Sequence, residues 1–224
     1  ADCSLKPNWV RTMVSYFSSA NILLVSGPVS FYKQDGIFQS LQALEFTSLI
    51  GSGAGAIGIE NAIFCNGANM AYRKSIFLEV NNFAADRAVS GDDVFLLHSV
   101  KEAYPKSIAF AKNEDATVTT KGVQNIKSFI NQRKRWTAKS SSYKDLASIY
   151  TSLLVLFTNI VAVILVGLFL FDIYYLNYFI YYFSLKFLAD LCLLIPVLSF
   201  LKRKDLIKWI LPFEFFYSFY IVLI

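Results

Sequence analysis

Leu146-Ala-Ser-Ile-Tyr-Thr-Ser-Leu-Leu-Val-Leu-Phe-Thr-Asn-Ile-Val-Ala-Val-Ile-Leu-Val-Gly-Leu-Phe-Leu-Phe171 is a run of 26 residues without a single charge. As a helix rising about 1.5 Å per residue it exceeds the roughly 30 Å hydrocarbon core of a bilayer. A buried helix of a large soluble core is the alternative, and this run is too long and too uniformly apolar for it. Two further runs follow. Residues 174–201 are apolar except for Lys186 and Asp190, which stand four apart, share a helix face and are placed to pair. Residues 207–224 carry Lys208 and Glu214 near their start. Three membrane spans are expected.

Charge is distributed accordingly. Residues 1–145 hold 16 of the 21 Lys and Arg and 12 of the 16 Asp and Glu. The expected organisation is therefore a polar domain over residues 1–145 and a membrane region over residues 146–224. Overall 55% of the chain is hydrophobic and 17% charged, with 21 Phe and 13 Tyr. A purely soluble protein is disfavoured and intrinsic disorder is excluded. Arg133, Lys134, Arg135, Lys139 and Lys144 precede the first span, and Lys202, Arg203, Lys204 and Lys208 lie between the second and third. The connection at 172–177 has no basic residue. The positive-inside rule then puts the polar domain and the 202–208 loop in the cytosol, in a multi-pass protein of the inner or plasma membrane. An anionic membrane surface accounts for much of the net charge of +5, so no nucleic-acid partner is called for. Cys3, Cys65 and Cys192 are too few and scattered for a disulfide framework or zinc cluster, and His98 is the one histidine.

The polar part alternates strand and helix signals. Residues 21–29 form an apolar run closed by Gly27-Pro28, as a buried strand would be, and residues 37–50 have helical spacing. Residues 57–72 are mixed, with a turn at Asn66-Gly67. Residues 90–104 read as a helix with Ser90 as cap and Asp92 and Asp93 in its first turn. Residues 108–120 suggest a strand and its margin, and residues 123–140 a strongly basic helix.

Several motifs carry chemistry. Gly53-Ala54-Gly55-Ala56-Ile57-Gly58 spells the dinucleotide-binding pattern but lacks the strand before it and helix after it, so close packing or a flexible loop is expected. Gly91-Asp92-Asp93 lacks the hairpin that a polymerase would need; dipole stabilisation of a helix start is its bland reading. Gln132, Arg135 and Trp136, at i, i+3 and i+4, put an amide, a guanidinium and an indole on one helix face. An Arg fork suits phosphate and an indole suits sugar rings or cations. A helix snorkelling at the membrane surface explains the same residues, with Arg133 and Lys134 on other faces serving membrane affinity.

An acidic helix start, a Q-x-x-R-W helix and membrane spans in this order resemble the membrane-bound family 2 glycosyltransferases. Gln132-Arg133-Lys134-Arg135-Trp136 matches their Q-x-x-R-W motif. Asp92-Asp93 looks like their acidic pair, residues 66–73 like the strand and loop before it, and Ser26-Gly27-Pro28-Val29 is also similar. Ala1-Asp2-Cys3 resembles the tail of D-x-D. The resemblance implies an α/β fold, a partial GT-A-like cytosolic domain followed by a transmembrane α-helical region. It implies transfer, with inversion, from a nucleotide-sugar donor to a glycan or lipid-linked acceptor. Asp93 would be the general base with Asp92 beside it. Arg135, Gln132 and Asn69 would serve the donor diphosphate, and Trp136 the acceptor. Asp2 would hold a divalent cation, Mg²⁺ or Mn²⁺. The family's uridine-binding strands and the first Asp of D-x-D would lie upstream, so the chain is expected to be the C-terminal part of a longer enzyme. Two other readings are a catalytically inactive membrane-anchored scaffold and a small transporter subunit built on Lys186 and Asp190.

Overall fold

The computed structural model describes residues 3–80, 92–140 and 142–224, apart from the side chain of Lys139. They form two compact units, Ala1–Val123 and Gln124–Ile224. Asp2 and the Ser90-Gly91 start of the acidic helix lie outside the described residues.

The first unit is mixed α/β, as the sequence implies. Its elements are α1 (Trp9–Ser15), β1 (Leu24–Ser26), β2 (Val29–Phe31), α2 (Ile37–Gly58), β3 (Met70–Tyr72), α3 (Lys74–Val80), α4 (Asp92–Ala103), β4 (Ile108–Phe110) and β5 (Val118–Thr120). Strand β1 is central, antiparallel to β3 and parallel to β4; β2 and β5 form a separate parallel pair. The apolar run at 21–29 is thus split by Gly27-Pro28 into two strands of different sheets. Successive side chains of a strand point to opposite faces, and β1 uses both. Leu24 packs with Ile57, Ile76, Leu96, Leu97 and Val100 from α2, α3 and α4, while Val25 packs with Met13 of α1, Ala111 and Ala116.

Helix α2 runs eight residues further than the spacing at 37–50 suggests, and its last turns contain the glycine run. The flexible-loop reading of residues 53–58 is therefore corrected. Each helical Gly costs about 1 kcal/mol relative to Ala, yet Gly53 is required: a Cβ there would meet the Phe64 carbonyl oxygen at 2.9 Å. Near the middle of α2, Phe46 stacks on Phe31 of β2 with centroids 4.2 Å apart.

The second unit holds α5 (Ile126–Ser140) and three long apolar helices, α6 (Leu146–Phe171), α7 (Leu176–Phe200) and α8 (Ile210–Leu223). With their flanking 3₁₀ turns, the last two reach 28 and 20 residues, Ile173–Phe200 and Lys204–Leu223. All three are long and apolar enough to cross a membrane. Asp145 caps α6 by accepting from the Ser148 amide at 2.8 Å, typically worth about 1 kcal/mol. Helix α7 ends in a Schellman turn: Arg203 N donates to Leu198 O at 2.8 Å while Lys202 takes φ 57°. Helix α6 packs on both α7 and α8. Its buried residues are Ser148, Asn159 and Ala162, whereas Leu153, Leu154, Phe157, Ile164 and Leu170 face outward. Small and polar residues inside with apolar ones outside is the packing of helices surrounded by lipid.

Candidate functional site

Because β1 and β4 are parallel and β3 antiparallel, the C-terminal ends of β1 and β4 meet the N-terminal end of β3 at one edge. Three loops gather there: Gly27-Pro28, residues 66–69 and residues 111–116. Asn69 ties them together. Fully buried, its Nδ2 donates to Pro28 O and Ala116 O, both at 2.7 Å, and its Oδ1 accepts from Trp9 Nε1 at 3.0 Å. Its carbonyl accepts from Gly27 N at 2.8 Å. A Cβ on Gly27 would fall 2.6 Å from Asn69 Cγ, so this approach demands glycine. Every polar atom of the Asn69 side chain is thus engaged within the protein.

The same loop aims the acid expected to act. Gly67 N donates to Asp93 Oδ2 at 2.7 Å, and Val94 N to Asp93 Oδ1 at 3.0 Å. Asp93 is half-buried at the head of α4, and Asp92 beside it is exposed. Beneath them the Cys65 thiol donates to Asp93 O at 3.3 Å. Burial, and secondarily the Asp93 carboxylate, push the Cys65 thiol well above its ordinary pKa, which leaves it a packing group rather than a nucleophile. Asp93, Gly67, Asn69, Gly27 and Trp9 therefore form one connected edge. Sequence reasoning missed Trp9, for which the only cue was an aromatic residue with a donor to satisfy.

Helix α5 holds the remaining expected residues, within the second unit. Arg133, expected on a different helix face from Gln132 and Trp136, is instead buried and touches both. Its guanidinium lies 4.5 Å from the Phe129 ring centre and 4.2 Å from that of Trp136. Arg133 Nη1 also donates to Gln132 Oε1 at 2.7 Å. Phe129, Arg133 and Trp136 stand at i−4, i and i+3, the spacing that brings side chains together on a helix; that cue was in the sequence. Phe129 in turn meets Tyr220 of α8, with centroids 5.4 Å apart. Arg135 is exposed, and Gln132 and Trp136 are half-buried. The structure thus joins Gln132 to Trp136 through Arg133 and leaves Arg135 open to solvent.

Among the described residues, no group of three or more His, Cys, Asp or Glu is close enough to hold a metal ion. The segment after Asp2 is anchored, since Ser4 pairs antiparallel with Thr119 of β5 through bonds of 2.8 and 3.0 Å.

In sequence comparison, the family described as Glycosyl transferase family group 2 matches residues 1–200. No curated protein matches the chain at a significant level.

Proposed function

The chain belongs to glycosyl transferase family group 2, and from that membership we propose that it transfers a sugar from a nucleotide-sugar donor to a glycan or lipid-linked acceptor, with inversion, at the cytosolic face of a membrane. Membership itself supports glycosyl transfer in general. The observation that carries the finer reading is the aim of Asp93, fixed by the Gly67 amide at the strand-end edge.

Inverting transfer needs a base to take the proton from the acceptor hydroxyl as it attacks the anomeric carbon, and charge neutralisation at the departing diphosphate. Asp93 is proposed as that base, with the exposed Asp92 alongside. Arg135, solvent-accessible and forked, is proposed to neutralise the diphosphate together with Gln132. One face of the Trp136 indole is taken by Arg133, and the ring is proposed to offer its remaining surface to the acceptor sugar. Arg133 then acts as a positioning residue for both Gln132 and Trp136. Asn69, having no polar atom left for the donor, is proposed to position the loops that frame it.

A divalent cation, Mg²⁺ or Mn²⁺, bound at Asp2 is proposed from the family relation alone, and would add Lewis-acid neutralisation of the leaving diphosphate.

The membrane reading rests on the lipid-like packing of α6 and on the loops. The tyrosines beyond α6 form an exposed cluster, with Tyr174 and Tyr178 hydroxyls 3.1 Å apart, as residues of an aromatic interface belt do. The basic residues at 202–208 are proposed to face the cytosol.

The test is transfer of labelled sugar by the full-length protein in native membranes, across a panel of nucleotide-sugars. Asp93→Asn should lower the rate by about two to four orders of magnitude with donor binding little changed, while Asp92→Asn does less. Unchanged transfer by Asp93→Asn overturns the assignment, and binding without transfer by the wild type would favour an inactive scaffold.

A further inference from the structure

Three ionisable side chains meet between α7 and α8. Lys186 Nζ donates to Asp190 Oδ2 at 2.9 Å and also contacts Glu214 Oε1. Both carboxyls therefore meet the same ammonium group. Glu214 is 1% exposed, Lys186 14% and Asp190 38% at the side chain. Nothing in the proposed transfer uses them.

If both carboxyls were ionised, the cluster would carry one net negative charge among apolar helices. A buried charge of this kind is expensive, and two carboxylates held on one ammonium repel each other unless a proton neutralises one of them. Among the described residues the surroundings supply no further cation. Helix α6, which packs on both partners, has no charged residue. The Tyr217 ring lies 5.7 Å from Lys186 Nζ, and Tyr182, one turn before Lys186, gives its hydroxyl to the Thr158 carbonyl of α6 at 2.7 Å. The unit's other buried basic residues are engaged elsewhere, Arg203 with Asp205 and Arg133 between the Phe129 and Trp136 rings.

We propose that Lys186, Asp190 and Glu214 form a proton-binding site within the membrane-spanning helices, in which Asp190 and Glu214 share one proton and Lys186 balances the remaining charge. The proton is the ligand: it makes the cluster neutral, and its loss leaves two anions against one cation. The contact that joins α7 to α8 is thereby coupled to protonation, through side chains remote in sequence from the transfer motifs. The proposal rests on the reading that these helices span a membrane, which cysteine labelling at the 172–175 turn tests by itself.

Infrared spectroscopy on the full chain in lipid nanodiscs at neutral pH is the direct measurement. The wild type should show the carbonyl stretch of a protonated carboxyl, shifting in D₂O. Glu214→Gln and Asp190→Asn each leave one carboxylate facing one ammonium, which needs no added proton, so each should remove that band. Both variants should also lose the wild type's fall in thermal midpoint from mildly acidic to mildly alkaline pH. A band that survives either substitution overturns the shared proton. So does a wild type that lacks the band and is stabilised instead by an alkali cation. Should one variant fail to fold, the other and the wild-type band still decide.

Discussion

Gly67 N donates to Asp93 Oδ2 at 2.7 Å, so the carboxylate at the head of α4 takes its direction from a loop and not only from its own helix. A Cβ at Gly67 would lie 3.1 Å from that oxygen and 3.2 Å from Asp93 Cβ. Gly67→Ala should therefore displace the acid by a few tenths of an ångström while leaving the buried contacts of α4 intact. Since about 1 Å of misplacement costs on the order of a hundredfold, a loss of about tenfold in kcat is expected, with the thermal midpoint nearly unchanged. Full activity in Gly67→Ala would show that the aim of Asp93 does not matter to the reaction.

Two arginines two residues apart should fail differently. Arg133 is buried against two rings, and a desolvated cation–π contact is worth about 2 kcal/mol. Arg133→Lys loses the planar stack and the bond to Gln132, so it should lower both stability and acceptor use. Arg135→Lys changes an exposed side chain, so stability should hold while transfer falls through loss of the fork. Thermal midpoints and transfer rates of the two variants in the full-length protein make the comparison. Equal effects on both readouts would remove the division of labour between them.

How far the sequence could be read depends on how many solutions each stretch allows. The uncharged run of α6 has one solution, and its bounds were legible to the residue. Part of the strand-helix order of the first unit was legible too, where Gly and Pro punctuate the alternating signals. The seven-residue helices α1 and α3 are too short to show a period. The glycine run was misread because local composition penalises a helix that packing at Gly53 sustains. Loop side chains were harder still. Nothing in residues 66–73 distinguishes an asparagine that faces a ligand from one that, like Asn69, closes three loops on itself. Arg133 is harder to place for a different reason: its aromatic neighbours stand at contact spacing, but one turn of a helix does not say which of two nearby arginines is buried.

Cys65 provides a pH test of the first unit. In the fold its thiol is held well above the ordinary value, first by burial and then by Asp93, whereas in the unfolded chain it ionises near about pH 8.5. Above that pH the unfolded state binds fewer protons than the folded one, so stability falls as pH rises; below it this residue adds no slope. Comparing Cys65→Ala with wild type isolates the effect, and the variant should have a shallower alkaline decline, by up to about 1.4 kcal/mol per pH unit. A maleimide should modify the exposed Cys3 and spare Cys65 until the protein is unfolded. Identical alkaline slopes for variant and wild type would mean that the thiol is not held protonated.

The proposed orientation rests on the two connections between the apolar helices. The first, beyond Phe171, contains Asp172 and tyrosines but no basic residue, and Asp172 Oδ1 fixes it by accepting from Tyr174 N at 2.9 Å. The second contains Lys202, Arg203, Lys204 and Lys208, where Arg203 is buried and paired with the exposed Asp205, and Lys202, Lys204 and Lys208 are exposed. Three exposed ammonium groups next to two apolar helices resist translocation, and the first connection carries nothing that does. In intact cells, a membrane-impermeant thiol reagent should therefore reach a cysteine placed at Tyr174 and miss one placed at Lys204 or Lys127, each in a background without Cys3, Cys65 and Cys192. Permeabilisation should expose the latter two. Labelling of the Lys204 position from outside would invert the arrangement and separate Gln132, Arg135 and Trp136 from any cytosolic nucleotide-sugar. Labelling of all three positions from outside would show that α6 and α7 do not cross the bilayer at all.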